Sequence, residues 1–342
     1  MEACRLSYEL LSHEEKIAYN KFLDAFMSFS DVVDASGIKN GIDLMKVLNC
    51  VIGDNPRIIH FNKSQIKLSS SVFGGKQIKL CGTYTKKQIK QMYETLDNKV
   101  DLIIEEISQL NPITTYDNLI CIYEYFQDNI VYDSKELENV CCRGNVSNPM
   151  SHNAYGALVN GKAVCDGITA AFSLIAQKMN IESTMLAGKA TFRTTGFSNH
   201  AWNVIRLDNK CYHIDATWDI NRKCETGVYS YDYLCADDDM VSTNHDWDVK
   251  TMHLCNYSDL SFYVRNNCLA NNLSQLEEIF VRFAKSKLGV VRARVKDGIP
   301  IPEPETEQLG QILAKAAGIA GRYNPFEYYW DKNTRCFFAQ FK

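Results

Sequence analysis

Apolar positions mark out the elements along the chain. Ile89, Met92, Leu96, Val100, Ile103 and Ile107 recur at helical spacing, so Thr85 to about Leu110 is predicted as one long amphipathic helix, broken by Asn111-Pro112. Leu119, Ile122, Tyr123 and Phe126 predict a second helix over 115–131. Near the start, Ser12-His13-Glu14-Glu15 has the form of a capping box with Ser12 as cap, and Ile17, Phe22, Phe26 and Phe29 follow as an apolar stripe. A further helix is expected from about Gly41 to Ile52, ending before Gly53 and Pro56. Ile58 to Phe61, Gln65 to Leu68 and Gln77 to Leu80 are short apolar or alternating runs. Gly74-Gly75 marks a turn between the last two, which predicts a hairpin or meander.

Residues 133–155 are rich in Asn, Ser, Gly and Pro and read as a long loop, a feature often functional inside a compact domain. A helix (165–179) and strands (183–187, 199–206, 211–215) are expected next. The tail from Leu260 reads strand, helix, strand, helix, strand, strand. In it, Ser274-Gln275-Leu276-Glu277 looks like a capping box, Pro302 and Pro304 like a linker, and Asp331-Lys332-Asn333 like a hairpin turn. The expected organisation is α+β: an N-terminal α/β region (1–110), a core (111–257) and a small α+β accessory domain (258–342).

Composition narrows the class. Of 342 residues, 46% are apolar and 23% charged, which excludes wholesale disorder. The net charge of −4 gives no basic face, so nucleic acid is not an expected partner. No apolar run approaches the length of a membrane span. The opening Met1-Glu2-Ala3-Cys4-Arg5 lacks the pattern of a signal peptide. The 13 cysteines are odd in number, scattered, and include no Cys-x-x-Cys. Free thiols in a reducing, cytoplasmic setting are the expectation, with no zinc, other metal or organic cofactor.

One stretch carries reactive chemistry. Cys165 opens an apolar helix through Cys165-Asp166-Gly167-Ile168-Thr169, where the positive end of the helix dipole favours the thiolate, the form that attacks. Backbone N–H groups at a helix start are also ready donors for an oxyanion. A thiolate needs a base, and His200 lies downstream in Asn199-His200-Ala201-Trp202. The base needs an orienter, and Asp215 lies in Tyr212-His213-Ile214-Asp215. If Asp208-Asn209 is a two-residue hairpin turn, Leu207 pairs with Lys210. His200 then falls opposite Thr217, Trp202 opposite Asp215, and all four share one sheet face. Asp219 would lie on the other diagonal from His200 if the strand ran that far, as a backup orienter. His213 shares the face further away and reads as structural, and Asp237-Asp238-Asp239 reads as a solvated turn. Each residue alone also fits a bland role: a small buried cysteine, a satisfied strand histidine, an aspartate ending a strand. Their order and register together favour a cysteine catalytic site.

Three blocks resemble the bacterial branch of the transglutaminase-like superfamily: Tyr155 to Gly167, His200 to Val204, and Tyr212 to Asp219. Leu119 to Tyr132 looks like that family's helix ahead of the nucleophile. Tyr231 to Leu234 with His245-Asp246-Trp247 looks like its segment after the aspartate, and Asp54-Asn55-Pro56 resembles an upstream motif. The resemblance implies a papain-like core with Cys165 as nucleophile, His200 as base and Asp215 as orienter. It does not fix the reaction, since the superfamily holds transglutaminases, cysteine peptidases, glycoprotein amidases and inactive members. Where papain-type peptidases carry an oxyanion-donating glutamine ahead of the cysteine, Val159 and Asn160 stand here. Tyr155 is the candidate replacement donor, and Trp202 the candidate residue flanking substrate. The expected activity is hydrolysis of protein or peptide amides through a cysteine thioester. Acyl transfer to amines and a catalytically silent peptide-binding module are the alternatives, and the oligomeric state is left open.

Overall fold

The structure is a computed structural model, described over residues 4–61, 66–70, 76–80, 84–144, 146–191, 197–286, 290–322 and 326–341. The chain divides into two compact units, 1–230 with 245–255, and 231–244 with 256–342.

The first unit begins with α1 (Leu6–Glu9), α2 (His13–Met27), β1 (Val32–Asp34), α3 (Leu44–Asp54), β2 (Ile66–Ser70) and β3 (Lys76–Leu80). Ser12 closes the expected capping box on α2, and Asp43 caps α3 through Met45 and Lys46. The three strands form an antiparallel sheet in the order β1-β3-β2, over a core that includes Phe22, Phe26, Val47, Val51 and Ile78. Ile58 to Phe61 form no strand, and Gly74-Gly75 lie outside the described residues. The buried Asp54 carboxylate accepts from Ser7 N and Tyr8 N, both at 3.0 Å, so the Asp-Asn-Pro motif anchors α1.

Next come α4 (Lys86–Gln109), capped by Thr85, and α5 (Thr115–Asn129), capped by Thr114. All six apolar positions singled out on α4 are buried, as are all four on α5. The stretch read as a loop is largely helical: α6 (Ser134–Arg143), a 3-10 turn (Pro149–His152) and α7 (Ala154–Leu158), set between β4 (Val131–Tyr132) and β5 (Lys162–Ala163). Its polar residues are caps. Asp133 and Asn153 each accept from the first turn of a helix, which a composition count reads as loop character.

Then follow α8 (Cys165–Lys178), β6 (Glu182–Thr191), β7 (Phe197–Leu207), β8 (Lys210–Ile214) and α9 (Ala216–Thr226). The chain passes into the second unit for β9 (Leu234–Ala236) and α10 (Asp238–Val241), and returns with β10 (His245–Asp246). Within the first unit the strands lie in the order β10-β6-β7-β8, all antiparallel, with α8 packed on β6 and β7. Asp208 and Asn209 both take left-handed backbone (φ 50° and 61°), the two-residue turn that sets the expected Leu207 to Lys210 register.

The second unit continues with α11 (Phe262–Arg265), β11 (Leu269–Ala270), α12 (Leu273–Ala284), β12 (Val290–Val295), α13 (Glu305–Ile319), β13 (Phe326–Asp331) and β14 (Cys336–Phe341). Its sheet runs β11-β12-β14-β13, and α12 and α13 bury Leu276, Phe280, Leu309 and Leu313 with Val291 and Phe337. Asn272, rather than Ser274, caps α12.

Candidate active site

Cys165 is the first residue of α8. The preceding Val164 is extended (φ −89°, ψ −178°), and its N–H donates to Ser151 O at 3.0 Å. Ile168, Ala171, Phe172 and Ile175 bury the helix. Buried polar bonds then fix its register against β7. Asn203 Nδ2 donates to Thr169 O (2.9 Å) and Ser173 Oγ (2.8 Å), and Thr169 Oγ1 donates to Ala201 O (3.0 Å). Ala201 and Asn203 alternate with His200 and Trp202, so the bonds that clamp the helix also set the histidine's strand.

The structure brings His200 and Asp215 together, with Nε2 2.7 Å from Oδ2 and side chains 8% and 2% exposed. Cys165 is close enough to the same ring to act on it electrostatically, and Asp215 occupies Nε2. Burial pulls the imidazole toward the neutral form. The Asp215 carboxylate, with Cys165, reverses this and holds His200 well above the usual histidine range. Burial likewise pushes Asp215 up, but the facing imidazoles hold it below the usual carboxylate range.

Asp215 does not lie on the strand. β8 stops at Ile214, and Asp215 becomes the N-cap of α9 by accepting from Trp218 N at 3.2 Å. A strand cannot continue through a residue that caps a helix, so the expected pairings of His200 with Thr217 and of Trp202 with Asp215 do not form. Asp219 is carried away on the helix, where Tyr123 Oη and Ser230 Oγ hold its carboxylate, so it is not a backup orienter.

Trp202 is 1% exposed. It stacks on His200 (centroids 5.9 Å apart, 19° between planes) and donates from Nε1 to His213 Nδ1 at 3.0 Å. It therefore backs the imidazole, and His213 serves as its acceptor. A Cβ at Gly188 would stand 2.7 Å from Trp202 Cη2 and 2.5 Å from Asp246 O, so the ring fits only over a glycine. Tyr155 lines a groove with Tyr84, Gln88, Gln91, Met92 and Thr95.

Two neighbours escaped the sequence reading. His245, on β10, places Nε2 3.1 Å from Asp215 Oδ2, and burial lowers its pKa, favouring the neutral ring. Its pairing with Ala190 across β10 and β6 is long-range, and only the His-Asp-Trp segment hinted at it. Tyr132 pairs with Ala163 just ahead of Cys165, and its phenol feels Cys165, Asp166 and Asp215. Burial and these groups raise its pKa and keep it protonated. His200, Asp215 and His245 also bring three ligand-type atoms within 4.8 Å of one another. The hydrogen-bond distances of 2.7 and 3.1 Å are shorter than the spacing of about 3.3 Å between ligand atoms around a tetrahedral ion, so holding one would part the pairs.

The family model of the transglutaminase-like superfamily matches residues 105–216. Residues 105–216 thus carry a transglutaminase-like domain within an α+β fold, a match that supports thiol-dependent chemistry in general. Two solved structures are similar. One is a TGase (TM-score 0.33, 15% identity, covering 46% of this chain and 45% of that one). The other is a candidate cysteine protease from Cytophaga hutchinsonii (TM-score 0.28, 12% identity, 45% of this chain and 61% of that one). The matched stretch spans less than two thirds of either. No curated protein matches it. Among the described residues no helix is long and apolar enough to cross a membrane, and no cysteine is in a disulfide.

Proposed function

We propose that the chain is a cysteine enzyme that hydrolyses protein or peptide amides through an acyl-thioester on Cys165. The observation that carries this reading is the His200 ring, bound through Nε2 to the buried Asp215 and raised in pKa by Asp215 together with Cys165. The Cys165 thiolate attacks the amide carbonyl carbon, and the π electrons move to oxygen. The oxyanion is received by the Cys165 backbone N–H, which has no acceptor within its own helix, and by the protonated phenol of Tyr132. His200 Nδ1–H protonates the departing amine as the C–N bond breaks. Neutral His200 then takes a proton from water, the hydroxide adds to the thioester, and the thiolate leaves with release of the acid. Asp215 holds the ring throughout. Hydrolysis is preferred to amine transfer because Cys165 is partly exposed, so water reaches the thioester.

The test offers the full chain and Cys165→Ala a casein substrate with a fluorescent alkylamine. New amino termini or released ammonia, lost in the variant and without amine uptake, supports hydrolysis. Amine incorporation would move the reading to acyl transfer. Neither product, with an unreactive Cys165, removes it.

A further inference from the structure

A second polar constellation begins one residue after the nucleophile. His152, at the end of the 3-10 turn, places Nδ1 3.0 and 3.1 Å from the two Asp166 oxygens, and Nε2 3.3 Å from Glu136 Oε1. Both ring nitrogens therefore face carboxylate oxygens, an arrangement that only the doubly protonated ring fills with donors. Glu136, 1% exposed, also accepts from Ser147 N (2.9 Å), Asn148 N (3.1 Å) and Ser147 Oγ. Burial pushes Glu136 up, and these donors bring it below its ordinary range. Burial pulls His152 down, and Asp166 and Glu136 lift it above the usual histidine value. The nearby Asp133 is engaged separately by Ser151 Oγ (2.6 Å) and Lys162 Nζ (3.0 Å), while the Tyr132 phenol feels the charges of Asp166 and Cys165.

The turn carrying His152 is pressed onto the nucleophile's helix. A Cβ at Gly167 would lie 2.3 Å from Ser151 O, and Val164 N donates to that same oxygen. A shift of the turn is therefore felt at the first two residues of α8, Cys165 and Asp166.

We propose that His152 is a positioning residue for Cys165. Its imidazolium clasps Asp166 and Glu136, fastening the segment ahead of the nucleophile to the first turn of α8, and it lets go when the ring loses its second proton. The regulatory half of this proposal rests on Cys165 being the reactive thiol. The sign follows from the raised folded pKa: the clasp contributes fully below the ordinary histidine value and is lost as pH rises through the raised one. A neutral ring turns a lone pair toward a carboxylate and drives the two apart.

The test compares the full chain with His152→Gln by hydrogen–deuterium exchange over 146–158 and by Cys165 alkylation. At about pH 6 the variant should exchange about fivefold faster and alkylate about fivefold more slowly, as expected for losing a charge-assisted bond on a partly exposed ring. Both ratios should close toward one as pH rises through the raised His152 value, where the wild-type clasp opens as well. Ratios that stay constant with pH, or stay at one throughout, overturn the proposal, because a purely structural histidine gives the former. If the variant does not fold, wild-type exchange corrected for intrinsic rates must show the opening step as pH rises, and a flat profile overturns the proposal. A pH-dependent exchange ratio with a Cys165 no more reactive than Cys141 supports the clasp while overturning the thiol reading.

Discussion

His245 Nε2 lies 3.1 Å from the Asp215 oxygen that also holds His200. One buried carboxylate thus serves two imidazoles, one held toward the protonated form and one kept neutral by burial. Replacing His245 by Phe removes a donor to a charged acceptor, a loss of about 2 kcal/mol in denaturant unfolding. Asp215 is depressed in the folded state, so its contribution to stability exists above its unfolded pKa and disappears as pH falls through the folded one. Without His245 the folded pKa rises. Acid unfolding of His245→Phe should therefore begin at higher pH than in wild type, and coincident acid transitions would refute the shared role.

A thiolate–imidazolium pair, as proposed for Cys165 and His200, predicts selective alkylation. His200 keeps its proton past neutrality, so Cys165 should react with iodoacetamide at about pH 6 at least tenfold faster than the exposed Cys141, Cys142 and Cys224. Buried Cys50, pushed up to about 12 by burial, should barely react. His200→Ala should bring Cys165 down to the rate of the exposed cysteines. Peptide-resolved mass spectrometry reads all of these sites in one sample.

Much of this centre was legible in the sequence because local rules wrote it. The apolar stripe of the helix at 86–109, the capping box at Ser12, and the Asp208-Asn209 turn each depend on neighbours within a few residues. The hairpin register followed from that turn. What stayed hidden was decided at a distance or by double use of a residue. Asp215 ends a strand and caps a helix at once, so the pairing pattern stops one residue short of where alternation carries it. His245 reaches the site through pairing with β6, and Tyr132 through a parallel pairing with β5. Neither pairing has a local signature. The polar texture of 133–155 concealed helices whose caps are the polar residues themselves.

The two aspartates near the start of α9 should separate cleanly under mutation. Asp219 is held by Tyr123 and Ser230 away from His200, so Asp219→Ala should lower stability by about 2 kcal/mol and leave the alkylation rate of Cys165 within about twofold of wild type. Asp215→Ala removes the partner of a buried imidazolium and a helix cap together. It should cost about 3 kcal/mol or more and also abolish the fast alkylation. Thermal unfolding beside the alkylation assay distinguishes the two, and equal loss of alkylation in both would return Asp219 to the site.

Tyr132 supplies the most specific kinetic prediction. Its phenol lies near Cys165 on the strand paired with Ala163, and burial keeps it protonated, so it is able to donate to an oxyanion but not to act as a base near neutral pH. Tyr132→Phe keeps the ring and removes only the donor. Once a substrate is in hand, kcat should fall about a hundredfold, with KM and the alkylation rate of Cys165 little changed, because the interaction exists only when charge develops on the carbonyl oxygen. A variant that loses alkylation as well would make Tyr132 a support for the thiol itself. A variant with unchanged kcat would leave the second oxyanion donor to be sought elsewhere, with Tyr155→Phe the next measurement.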